Sequence, residues 1–148
     1  MISPYNDTFF MKQAYQEALK AFEMGEIPVG AVVVANNQIL ARAHNLTEQL
    51  TDVTAHAEIQ AITAAANALG GKYLKGCTLF VTLEPCVMCV GALYWSQIDR
   101  IVFAARDEKR GAGRLSESIY HPKTLVENGI MDEECGALMK AFFQSRRK

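Results

Sequence analysis

The sequence predicts an α/β fold in which one sheet is sandwiched between helical layers. Three observations predict it. Short β-branched or apolar runs occur at Val29 to Ala35, Thr78 to Leu83 and Ile101 to Ala105; segments of helical period separate them; and 148 residues is one domain's length. Half the residues are hydrophobic and 21% are charged, an ordinary globular balance, so the chain can bury a core without disulfides.

Asn6 and Asp7 cap a first helix running to about Met24, with Phe10, Ala14, Ala18 and Ala21 as its buried stripe and Gly25 as its stop. Val29 to Ala35, the turn pair Asn36-Asn37 and a return strand from Gln38 to Ala43 make a hairpin. Ala55 to Leu69 is an alanine-rich helix stopped by Gly70-Gly71. After the strand Thr78 to Leu83, a buried helix spans Cys86 to Ser96, with Pro85 expected in its first turn, where no N–H donor is required. A right-handed helical crossover would make the later strands parallel. Asp107 to Arg114 reads as a loop, and a last helix starts near Met131 and runs towards Arg146. Its acidic residues Asp132, Glu133 and Glu134 lie in the first turn and its basic ones at the far end, as the helix dipole prefers.

The net charge of −1 excludes a strongly basic nucleic-acid coat but not a local basic patch. Met1 to Asp7 has neither a basic lead nor an apolar core of the signal-peptide kind. The most apolar run, Cys86 to Trp95, falls short of the roughly 20 residues a bilayer demands. The expectation is a cytoplasmic protein with no membrane partner, whose four cysteines, Cys77, Cys86, Cys89 and Cys135, stay reduced.

The chemistry gathers in two short stretches, His56-Ala57-Glu58 and Pro85-Cys86-Val87-Met88-Cys89. Cysteines three apart share one face of a helix, and a helix N-terminus stabilises thiolates. With His56 from a second helix N-terminus they make a three-ligand zinc site whose fourth position is open to water, the mark of a catalytic rather than a structural zinc. On a regular helix residues two apart diverge, so His56 and Glu58 reach one site only if they straddle the helix start. Glu58 would then stand beside the metal's water without ligating it, placed to accept and return a proton. Thioredoxin-like redox sites share Cys-x-x-Cys, but that reading leaves His56 and Glu58 without a role. A closed structural zinc site would need a fourth protein ligand, Cys77 or His44. By default Cys77 and Cys135 are small buried hydrophobes, and His44 and His121 are not ligands.

His-x-Glu followed by Pro-Cys-x-x-Cys is the signature of zinc deaminases. The sequence resembles the cytidine/deoxycytidylate deaminase superfamily and, within it, the bacterial tRNA-specific adenosine deaminases. The resemblance runs through Ile27-Pro28-Val29-Gly30-Ala31, Thr54 to Ile59, Val81 to Cys89, Ala105-Arg106-Asp107, His121-Pro122 and the ending Phe142 to Arg147. It implies a three-layer cytidine deaminase-like α/β fold, a central mixed β-sheet flanked by α-helices, formed by residues 1–148 as a single deaminase domain. It further implies a homodimer with one zinc ion per subunit. The activity implied is hydrolytic conversion of the wobble adenosine of tRNA anticodons to inosine. By the same resemblance His56, Cys86 and Cys89 ligate zinc and Glu58 shuttles protons. Asn45 contacts the nucleoside, Val29 and Leu83 flank the base, and Phe142 and Phe143 lie near the flanking anticodon nucleotides. The chain departs from the family pattern at Val53, where proline is common, at Arg114, where serine is common, and at Gln144, where arginine is frequent.

Support for RNA from the residues themselves is modest. Arg106, Lys109, Arg110 and Arg114 cluster in one loop, offset by Asp107 and Glu108, and Lys140, Arg146, Arg147 and Lys148 gather at the C-terminus. They suit phosphate contacts, and equally a solvated loop and ordinary helix-end cations. Phe142 and Phe143 project about 100° apart on a helix, so one can be core and the other free to stack on a base beside Arg146. A free-base or nucleoside deaminase, such as a guanine or cytosine deaminase, is the rival within the superfamily.

Overall fold

The computed structural model describes residues 5–116 and 119–146. The elements follow in the order α1 (Asp7–Glu23), β1 (Gly30–Ala35), β2 (Gln38–His44), α2 (Ala57–Leu69), β3 (Thr78–Leu83), α3 (Val87–Ser96), β4 (Arg100–Ala105), a 3-10 turn (Ala112–Arg114), β5 (Leu125–Asn128) and α4 (Asp132–Arg146). The strands form one sheet in the order β2-β1-β3-β4-β5. It is mixed: β1 runs antiparallel to β2 and β3, while β3, β4 and β5 are parallel. Asn36 and Asn37 take φ of 51° and 61°, the left-handed pair that a two-residue hairpin demands.

Alternation along the strands builds the layers. Val32, Val34, Phe80, Val102 and Ala104 pack on Phe10, Met11 and Ala14 of α1 and Cys135 of α4. Ala31, Val33, Leu79, Val81, Ile101 and Phe103 face Ala57, Ala61 and Ala65 of α2 and Val90 and Leu93 of α3. Gly30 lets α1 lie directly on β1, since a Cβ there would stand 2.1 Å from the Ala14 carbonyl oxygen. Asn6 caps α1 by accepting from the Phe9 N–H at 2.9 Å, and Asp7 instead pairs with Arg100.

Three sequence expectations need correction. β5 was not predicted, because Leu125, Val126, Glu127 and Asn128 show no apolar alternation and the strand is held by pairing to β4. The 107–114 segment is a loop only in part, closing in the 3-10 turn. Pro85 stands outside α3: Cys86 is the N-cap, extended at φ −76° and ψ 173°, and pairs with Gly111 in an isolated bridge. That pairing needs extended backbone and so delays the helix by one residue. Arg147 and Lys148 lie outside the described residues. Among the described residues, no helix is long and apolar enough to cross a membrane.

Candidate metal centre

The sheet brings the predicted segments to one end. Gly30 at the start of β1 pairs with His44 at the end of β2, and its N–H donates to Thr82 Oγ1 near the end of β3 at 3.1 Å. Leu83 pairs with Ala105, the last residue of β4. This is the carboxyl end of the parallel strands, where open α/β sheets bind ligands. The N-termini of α2 and α3 start from the same end.

Both helices place a metal-type ligand at the N-cap. His56 is extended there, at φ −74° and ψ 155°, which satisfies the condition that His56 and Glu58 straddle the helix start. Neither His56 nor Cys86 makes a side-chain cap bond. Instead Asn45 Oδ1 accepts from the Ala57 N–H at 2.9 Å, capping α2 from outside the helix.

His56 Nδ1 lies 3.7 Å from Cys86 Sγ and 3.5 Å from Cys89 Sγ. All three donor atoms fall within 4.8 Å of one another. A tetrahedral zinc with bonds of about 2.3 Å to sulfur and about 2.0 Å to nitrogen separates its ligand atoms by about 3.5–3.8 Å. Two soft thiolates and an imidazole are also the donor set zinc prefers. Cys89 is buried while His56 and Cys86 are half-buried, so the group has one open side. Among the described residues this is the only such donor cluster. His44 Nδ1 is 3.1 Å from the Asn45 carbonyl oxygen, His121 Nδ1 accepts from the Lys123 N–H at 3.1 Å, and Cys77 and Cys135 are buried. Among the described residues, none of these four joins the His56, Cys86 and Cys89 group.

Glu58 completes the centre. It is buried, and its Oε1 has no hydrogen-bond partner. Burial pushes its pKa up to about 7. An orphaned carboxylate oxygen beside an open three-donor cluster fits a polar species there, as a zinc-bound water would be. The Cys86 thiol is held down at about 3, first by a hydrogen bond from Cys89 and then by His56. His56 is raised in turn, chiefly by Cys86.

The other predicted residues divide into two groups. Val29 and Asn45 are buried at this end, joined by an Asn45 N–H to Val29 carbonyl bond of 3.1 Å, and Leu83 is half-buried. Phe142, Phe143 and Arg146 belong to the end of α4, which packs on the turn after α1. Phe142 is buried against Phe22 with ring centroids 5.9 Å apart, while Phe143 is exposed. Arg146 stacks over the Phe142 ring at 4.8 Å, and a Cβ on Gly25 would meet its guanidinium. Val29 follows Gly25 by four residues, so α4 borders the segment that enters the centre.

Sequence reasoning did not single out two buried carboxylates. Glu26 accepts from Thr47 Oγ1 at 3.3 Å and from the N–H groups of Glu48 and Gln49 at 3.1 and 2.8 Å, pinning the loop after Asn45. Glu84 binds the loop after β4. The available signal was position alone, each lying two or three residues ahead of a predicted site residue. Glu84 and Arg106 also line a cavity of about 390 Å³, with Phe103, Tyr120, His121 and Asn128 among its other walls. The three metal-type donors do not line it.

Residues 4–105 match the family described as the cytidine and deoxycytidylate deaminase zinc-binding region. The chain is 46% identical to the tRNA-specific adenosine deaminase of Bacillus subtilis (strain 168) over 147 residues, covering 96% of this chain and 91% of that protein. A solved structure from work on A-to-I editing by tRNA:A34 deaminases at the wobble position of transfer RNA superposes with a TM-score of 0.83 at 41% identity, covering 88% of this chain and 99% of the other. The guanine deaminase structure from Bacillus subtilis reaches 0.67 at 36% identity, covering 75% of this chain and 70% of the other. The chain belongs to the cytidine and deoxycytidylate deaminase family, on its tRNA-specific adenosine deaminase branch.

Proposed function

We propose that this protein deaminates the wobble adenosine of tRNA anticodons to inosine hydrolytically, as a single cytoplasmic deaminase domain holding one zinc ion per subunit of a homodimer. The observation that carries the chemistry is the unpartnered, buried Glu58 Oε1 beside the His56, Cys86 and Cys89 donors. The substrate follows from the relatives, whose chains match this one over nearly their full length. The lower similarity to the guanine deaminase keeps free guanine as the alternative to test.

His56 Nδ1 and the two thiolates would hold the metal, with both helix N-termini favouring the anionic sulfurs. Zinc in such a set supplies an activated water at neutral pH. Glu58, buried and raised towards neutrality, takes a proton from the attacking water and returns it to the purine ring nitrogen. Water oxygen adds at C6, a proton passes to the exocyclic amine, ammonia leaves and inosine remains. Asn45 has its oxygen engaged on Ala57, so its NH₂ group is what it offers the nucleoside. Val29 and Leu83 flank the base, which must be splayed out of the anticodon stack to reach so enclosed a carboxylate. Phe143, exposed beside Arg146, stacks a flanking nucleotide, with Phe142 behind it.

The test is incubation of the purified zinc-loaded protein with an anticodon stem-loop carrying a wobble adenosine, read by nucleoside mass spectrometry. Inosine is expected at that one position. Turnover of free guanine with no inosine in the stem-loop would transfer the chain to the free-base reading.

A further inference from the structure

We propose that Glu84 is a positioning residue, whose buried carboxylate clamps the 107–113 loop to the metal-ligand segment and so presents the loop's cations to RNA; this rests on the RNA reading above. Glu84 follows β3 directly and precedes Pro85 and Cys86. Its side chain is buried, and its partners are backbone groups from the two ends of one loop. Oε1 accepts from the Asp107 N–H at 3.0 Å and Oε2 from the Gly113 N–H at 2.8 Å. Such a carboxylate needs donors on both oxygens to be tolerated away from water.

The loop between those ends is itself closed. Asp107 Oδ1 accepts from the Lys109 and Arg110 N–H groups at 3.1 and 3.0 Å, and the Gly111 N–H donates to the Asp107 carbonyl at 2.9 Å. The Ala112 N–H donates to the Pro85 carbonyl at 2.9 Å, which ties the loop to the residue before Cys86. The two glycines are there for space. A Cβ on Gly111 would lie 2.4 Å from Glu84 Oε1, and one on Gly113 would lie 2.5 Å from Oε2. At Gly111 φ is −64°, so backbone freedom is not the requirement. Arg106, Lys109, Arg110 and Arg114 all stand exposed around this clamped turn. Glu84 thus fixes where the cations point, with each of its oxygens holding one loop N–H.

Glu84→Gln keeps the shape but sets an NH₂ group against one of the two N–H donors, releasing one end of the loop. Gly113→Ala attacks the same clamp from the loop side. Three measurements are made on each variant: zinc content, kcat and KM on the stem-loop, and amide hydrogen exchange at residues 107–113. Zinc is expected at the wild-type level, kcat within about threefold, KM raised about tenfold or more, and exchange at Asp107 and Gly113 accelerated at least about tenfold. Faster exchange with unchanged KM would overturn the proposal, as would parallel loss of zinc and kcat at constant KM. If Glu84→Gln does not fold, Gly113→Ala carries the same comparison. If the wild-type protein makes no inosine, the RNA reading fails by itself; unchanged exchange in the variants would then reject the clamp, and accelerated exchange would uphold it.

Discussion

At the metal centre, donors from two helix N-termini lie within 4.8 Å of each other, and Cys89 and Glu58 are buried. At the rim, Lys109, Arg110, Arg114, Phe143 and Arg146 are exposed, and their directions depend on backbone held from behind by Glu84 or by packing of α4 on α1. The difference teaches where each kind of precision comes from. The groups at the centre are placed by rigid elements and by burial, so on the proposed function one substitution there should remove activity outright. On the proposed function, rim groups act additively through charge and stacking, so each change there should alter affinity by a measured step.

The largest test is Cys86→Ala, expected to bring bound zinc from about one ion per chain to near none and to abolish inosine formation, read by metal analysis with the stem-loop assay. Stoichiometric zinc in that variant would break the ligand assignment. Next, Glu58→Ala should keep zinc while lowering kcat by about 10²–10⁴-fold; near-normal turnover would remove Glu58 from the proton path. The neighbouring phenylalanines sharpen the line between core and rim. Phe142→Ala should cost about 3–5 kcal/mol of stability, seen in thermal or denaturant unfolding. Phe143→Ala should leave stability alone and weaken RNA binding by about 1–3 kcal/mol, seen in KM. A reversal of the two phenotypes would show that α4 is rotated from the orientation described.

Smaller still is the electrostatic share of the rim. With a net charge of −1, the salt dependence of KM should be shallow, and Arg146→Ala should reduce the log–log slope by about 0.7 if it touches one phosphate of single-stranded loop. The smallest effect belongs to the opposite end of the sheet, where Arg100 binds Asp7 at 2.9 and 2.5 Å. Those hydrogen bonds lower the Asp7 pKa, so the pair's stabilisation is present above the unfolded value of about 3.9 and is lost as pH falls through the lower folded value. Asp7→Asn should cost about 0.2–1 kcal/mol at neutral pH, and that difference from wild type should close in acid. Activity should not move.

The centre was legible in the sequence because its information is local. Cys86 and Cys89 are one helical turn apart, His56 and Glu58 are two residues apart, and each pair abuts a helix start that composition already marks. The antiparallel hairpin was legible from Asn36-Asn37, and the three-layer order from alternating strand and helix periods. β5 was not, because a four-residue strand with exposed side chains owes its form to the β4 backbone beside it. Asn45 suggested a nucleoside contact by resemblance, but nothing local announced that its oxygen caps a helix twelve residues on. Glu26 and Glu84 look like any surface glutamates in the sequence; both are buried, and their partners, backbone N–H groups together with the Thr47 hydroxyl on Glu26, are more than twenty residues away.

The sequence by itself determined the donor set, the carboxylate beside it and the α/β class, since spacing and helix-start geometry are short-range properties of the chain. Only the tertiary structure decided that His56 and the cysteines from α3 share one point, that Glu58 Oε1 is left without a partner, that Phe142 rather than Phe143 is buried, and that Glu84 grips a distant loop. Each of these depends on which segments the sheet brings together and which atoms lose their water, and both are settled by packing across the whole chain.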